Sequence, residues 1–181
     1  MTGDLAAVHV ASALVGLVAA ATGLLARARW RDRALGAHVV MTAAMLLCLV
    51  AALQVDVPVG LLLLLAVASW VGAWTRAAAD RRAQRRSGLP LDLLATGSLL
   101  LLMPMSHAPA PVPAGSGHLH ATGASTTAVL ALVVAGSWLA VSLLRCRAGR
   151  EGAAGHGSGL LPSVCAAGMA GSMVVMVAVA V

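Results

Sequence analysis

The chain has no lysine, no phenylalanine and no tyrosine, and only 6 of its 181 residues are acidic. Each shortage removes a class of function. So few carboxylates leave no acid–base dyad that can be placed. No nucleophile is set beside a base either, so no enzyme reaction is expected. Of the 3 cysteines, Cys48 and Cys165 lie in apolar runs and Cys146 lies in an Arg-rich stretch. That placement offers no disulfide framework. The sequence carries no nucleotide-binding loop, no internal repeat and no amphipathic surface helix. Met1 to Asp4 lack a basic stretch, and the first arginines follow the first apolar run. A membrane span is therefore expected there, not a signal peptide.

What is present is apolar length. Hydrophobic residues make up 60% of the chain, in runs that a soluble domain of this size could not hide. The expected fold is all-α: a polytopic membrane protein, one integral membrane domain over residues 1–181, built as a six-transmembrane-helix bundle. The spans fall at about 5–26, 34–54, 58–75, 89–106, 125–144 and 160–181. Roughly 18–22 residues at 1.5 Å each are enough to cross a hydrocarbon layer of about 30 Å.

All 12 basic residues are arginine. They form three groups: Arg27 to Arg33, Arg76 to Arg86, and Arg145 to Arg150. The turns between the other pairs of apolar segments carry no basic residue, which is the positive-inside pattern and places both termini outside. Topology and anionic lipid thus account for the net charge of +6 without a nucleic-acid partner. Trp30, Trp70 and Trp74 are expected near the inner interface, with Trp138 deeper. High Ala, Gly and Arg without Lys fits a GC-rich bacterial genome, so the expected location is the bacterial plasma (inner) membrane and the expected partner is the lipid bilayer.

Every methionine after the first falls in a cluster with cysteine or histidine. The second segment carries His38, Met41, Met45 and Cys48. The sixth carries Cys165, Met169, Met173 and Met176. On a helix each set occupies an arc of roughly 80°. Under the charge-derived topology His38 and Cys165 lie one turn from the inner end, Met41 and Met45 near the level of Met169, and Cys48 near the level of Met173. If the two helices are neighbours, the stripes match in layers. Met103, Met105 and His107 emerge at the outer end of the fourth segment, beside His118 and His120 in a loop rich in Pro and Gly.

Thioether, thiolate and imidazole are the donors that Cu(I) prefers, and neutral thioethers cost little to bury in hydrocarbon. The leading expectation is therefore a protein that binds or translocates a soft metal ion, copper as Cu(I) foremost. His38, Met41, Met45, Cys48, Cys165, Met169, Met173 and Met176 would be the ligands within the membrane. Met103, Met105, His107, His118 and His120 would form an outer collection site. The alternative is a structural or accessory subunit whose methionine stripes are helix-packing surfaces, since Met fills irregular gaps and Gly168, Gly171 and Ser172 allow close contact. Haem ligation by His9 and His38 is weaker, because they fall near opposite faces. Asp92 follows Pro90 at a helix start, where a carboxylate suits the dipole and the cap; a proton relay is the other reading.

The His38-x-x-Met41-x-x-x-Met45 helix and the Met-rich final helix, Cys165 to Met176, resemble an actinobacterial family of small multi-pass membrane proteins catalogued as a domain of unknown function. The resemblance covers about a quarter of the chain. It implies importance for the His, Met and Cys positions and assigns them no activity.

The topology is open to a labelling test. In intact cells Cys146 should be shielded from a membrane-impermeant maleimide and become reactive once the inner face is opened. A cysteine introduced as Ser116→Cys should behave in the opposite way. Labelling of Cys146 in intact cells would invert the assignment.

Overall fold

The computed structural model describes residues 3–28, 35–53, 55–82, 88–106, 121–152 and 160–180. The described residues form six helices and no strand: α1 (Gly3–Ala28), α2 (Leu35–Ala52), α3 (Val59–Arg82), α4 (Leu89–Ser106), α5 (Ala121–Gly152) and α6 (Leu160–Ala180). Five of them are long and apolar enough to cross a membrane, and the apolar stretch of α4, Leu89–Leu102, is shorter. Three prolines stand where helices tolerate them at their starts, Pro58 just before α3, Pro90 in the first turn of α4 and Pro162 in that of α6, and Pro104 lies in the last turn of α4.

The helices over 89–106 and 160–180 agree closely with the bounds expected of the fourth and sixth segments. α3 and α5 run further, to Arg82 and Gly152 instead of 75 and 144. The reason is local: Ala77-Ala78-Ala79, and Arg145, Arg147, Ala148, Arg150 and Glu151 around Gly149, are good helix formers. An apolar boundary marks the edge of a bilayer, not the end of backbone hydrogen bonding.

The helices close into a ring. α1 packs on α2, α2 on α3, α3 on α4, α4 on α5, α5 on α6, and α6 returns to α1; α2 also reaches α4 across the interior. Large aliphatic side chains face outward, with Val18 64%, Leu64 65% and Val133 61% exposed. The interior is built mostly of alanine, methionine, cysteine and small hydroxyl residues, with Leu93, Leu99 and Leu100 of α4 and Trp138 of α5 as its other large members. Bulk on the outside with smaller and more polar groups inside is what a lipid-facing bundle requires, and several helices of this kind make the chain a membrane protein.

Four of the hydroxyls are satisfied within their own helices. Ser69 donates to Leu65 O at 2.7 Å, Thr96 to Asp92 O at 2.7 Å, Thr42 to His38 O at 2.8 Å and Ser172 to Met169 O at 2.7 Å. This lets a polar side chain sit in a low-dielectric interior without a partner from another element.

α3 and α4 come closest at Gly97. A Cβ there would lie 2.6 Å from Trp70 Cδ1 and 2.9 Å from the Ala66 carbonyl oxygen. Backbone on one side and an indole on the other leave no cheap way to relax. Gly97→Ala should therefore destabilise by about 1–3 kcal/mol through overpacking. Gly136→Ala, whose Cβ would meet nothing within 4 Å, should be neutral or slightly stabilising. Thermal unfolding of the detergent-purified variants, followed by circular dichroism, distinguishes the two; equal melting temperatures would contradict the close approach.

Candidate metal centre

The stripes on α2 and α6 both turn inward. His38, Met41, Met45 and Cys48 are buried, as are Cys165, Met169, Met173 and Met176. The two helices are not packed side by side along their length, as direct facing of the stripes would need; each packs on α1. α1 meets them with its smallest residues. Ala13, Gly16, Ala20 and Gly23 recur at three- and four-residue steps along one face, and both alanines are buried.

That small face brings the stripes together. A Cβ placed on Gly23 would lie 3.3 Å from His38 Cδ2, 3.8 Å from His38 Nε2 and 3.7 Å from Cys165 Cβ. The imidazole of α2 and the thiol-bearing carbon of α6 therefore crowd the same point on α1. Two turns away, a Cβ on Gly16 would meet the Ser172 hydroxyl of α6 and lie 3.1 Å from Met45 Sδ of α2. The glycines, His38 and Met45, and Cys165 and Ser172 are each seven residues apart, so the three helices keep one register.

That register sets the levels. His38 and Cys165 share the level of Gly23, Met41 and Met169 that of Ala20, Met45 and Met173 that of Gly16, and Cys48 that of Ala13. By the same count Cys48, ten residues beyond His38, falls between Met173 and Met176 of α6.

Beside this column stands a polar group that residue spacing left unassembled. The Asp92 carboxylate of α4 accepts a hydrogen bond from Trp138 Nε1 at 2.9 Å and from Arg145 Nη1 at 3.2 Å, both on α5. Arg145 Nη1 also donates to the Gly88 carbonyl at 3.3 Å. Asp92 interacts electrostatically with His38 as well as with Arg145. Ser142, on the same face of α5, is fully buried and its hydroxyl has no hydrogen-bond partner among the described residues.

The helix-start reading of Asp92 captures only part of its role, since its side chain bonds to α5. The signal for it lies in α5, where Ala128, Ala131, Ala135, Trp138, Ser142 and Arg145 repeat at three- and four-residue steps. That spacing aligns one arginine with the buried indole instead of with the inner surface.

Among the described residues, no three or more His, Cys, Asp or Glu side chains are grouped to hold a metal by themselves. A soft-metal centre at this place must therefore draw on the thioethers. His9 is buried on α1 in the same register as the small face, at its opposite end from Gly23. Of the outer set, Met103 and Met105 lie in the last turns of α4, but their side chains are outside the description. His107, His118 and His120 lie outside the described residues, as does Trp30.

The Asp92–Arg145 contact can be tested by a double-mutant cycle. Asp92→Leu or Arg145→Leu alone strands a partly desolvated charge and should cost roughly 2–5 kcal/mol. The double variant should recover part of that loss, because no orphan charge remains. Asp92→Asn should be milder, since its amide oxygen still accepts from Trp138. Strict additivity of the two leucine variants would show that the pair does not interact energetically. No family model, curated protein or solved structure matches this chain.

Proposed function

We propose that this chain is a six-span bacterial inner-membrane protein, both termini outside, that binds or moves a soft metal ion, Cu(I) foremost, through the column between α1, α2 and α6. The observation that carries the reading is the meeting of His38 and Cys165 over Gly23. Imidazole and thiol are the two strongest soft donors in the column, and they stand at one level with buried methionines continuing outward. Cys165 binds as the thiolate, so metal entry releases a proton. Met41 and Met169 complete a low-coordinate set that needs no carboxylate cage. Exchange of the ion from one thioether layer to the next gives a path toward Cys48 and Met176, and Met103, Met105, His107, His118 and His120 collect the ion on the outer side. The resemblance to the actinobacterial membrane family falls on the same two helices.

A second reading is favoured by a specific observation: long flexible methionines set against Ala13, Gly16, Ala20 and Gly23 also interlock as large-into-small packing. One experiment separates the two. The purified protein and a variant carrying Met41→Leu, Met45→Leu, Met169→Leu and Met173→Leu are titrated with Cu(I) against a chromogenic chelator. Leucine keeps volume and apolarity, so the fold should survive. Copper affinity should fall at least tenfold, about 1.4 kcal/mol, with melting little changed. Cys165→Ser should reduce it further. Equal copper binding by all three proteins would leave only the packing reading.

A further inference from the structure

We infer that the groove between α3 and α4 is a binding site for an anionic phospholipid. The groove has a volume of about 370 Å³ and is lined by Ala73, Trp74, Ala77 and Arg81 of α3 and Pro90, Leu91 and Leu94 of α4. It lies on the far side of the ring from the α1–α2–α6 column and owes nothing to the metal reading. It needs only that the helices span a bilayer.

The groove is polarised along its length. Arg81 and Pro90 stand at its basic end, where α3 finishes and α4 begins. Trp74 and Ala73 lie about two turns deeper, at roughly 10 Å by helical rise, and Leu94 continues the opposite wall in the same direction. Small residues at Ala73 and Ala77 form the floor. Trp74 is 70% exposed, with Leu91 and Leu94 exposed along the opposite rim. An indole and two leucines open to the outside of a lipid-facing bundle invite an occupant that arrives from the bilayer.

The charge selects the occupant. Arg81 is exposed, and its Nε donates to the Ala77 carbonyl at 3.4 Å, which ties the guanidinium to the wall of the groove. Residues 76–86 contain Arg76, Arg81, Arg82, Arg85 and Arg86 against the single acid Asp80. A guanidinium at the membrane end of an apolar slot complements a phosphate esterified to an acyl chain. The phosphate sits on Arg81, and one chain lies against Trp74, Leu91 and Leu94. Basic grooves between spans on the inner side are where such headgroups are held. A zwitterionic lipid fills the apolar part equally well but brings its own cation to the guanidinium, which weakens it relative to an anionic one.

The test uses the full chain in detergent micelles, titrated with phosphatidylglycerol or phosphatidylcholine whose acyl chains are brominated. Bromine quenches a tryptophan that the chain touches. Phosphatidylglycerol should quench at a several-fold lower mole fraction than phosphatidylcholine. Arg81→Gln should abolish that preference, whereas Arg82→Gln, outside the groove lining, should keep it. Ala77→Leu narrows the floor and should weaken both lipids while the helix content stays unchanged, so the proposal is still tested if the Arg81 variant folds poorly. Equal quenching by the two lipids would overturn the proposal. So would a preference that survives Arg81→Gln, or one that glycerol phosphate without an acyl chain removes at matched concentration. A concentration-dependent dimer lost on Trp74→Ala would assign the groove to a second copy of the chain instead.

Discussion

The structure depends on the interlock of long side chains from α2 and α6 over the small face of α1. Within hydrocarbon, apolar surface gains nothing by leaving the solvent for another helix, so association has to come from close packing and from polar contacts. Glycine at positions 16 and 23 makes that packing possible. Each removes a side chain where two others already converge: Met45 and Ser172 at one, His38 and Cys165 at the other. A methyl at Gly16 would force the Ser172 and Met45 side chains to move, and one at Gly23 would press on the His38 ring. The same geometry collects the soft donors, so the feature that holds the bundle together is also the one that makes a metal column conceivable.

The second organising contact is polar. Asp92 could not be left unpaired inside the bundle, because a desolvated carboxylate costs several kcal/mol on any scale. Trp138 and Arg145 answer it from α5, and Arg145 also takes up the Gly88 carbonyl, which precedes the first turn of α4. α4 and α5 are thereby pinned near the basic end of the molecule. His38 senses the same carboxylate from α2. The α1–α2–α6 side is thus held mainly by shape, and α4 is joined to α5 by charge and hydrogen bonds. The outer surface of α3 and α4 is a third environment, in which an apolar slot ends at an arginine.

Much of this was legible in the sequence for simple reasons. Apolar runs of span length, separated by arginine-rich or proline-rich stretches, have few other solutions, and the ends of the helix over Leu89–Ser106 follow from Pro90 and the proline-rich sequence after His107. Helical periodicity placed His38, Met41, Met45 and Cys48 on one face, and Cys165, Met169, Met173 and Met176 on another, because the period of a helix is fixed by its backbone. The burial of both faces agrees with that. The extensions of α3 and α5 were not legible from hydropathy, which reports where lipid ends and is blind to where a helix ends.

The sequence by itself thus determined the class, the elements and the faces, since each depends only on residues close together along the chain. Which faces meet depends on the order of helices around the ring, and that is a property of the whole set of contacts. Direct contact between α2 and α6 was the natural guess from two matching stripes. The tertiary structure instead put α1 between them and joined the stripes over its glycines. It also turned Arg145 from one basic residue among 12 into the partner of a buried acid. Neither result could be read from spacing alone, because the energy of a close approach or an ion pair belongs to two distant segments at once and exists only when both are in place.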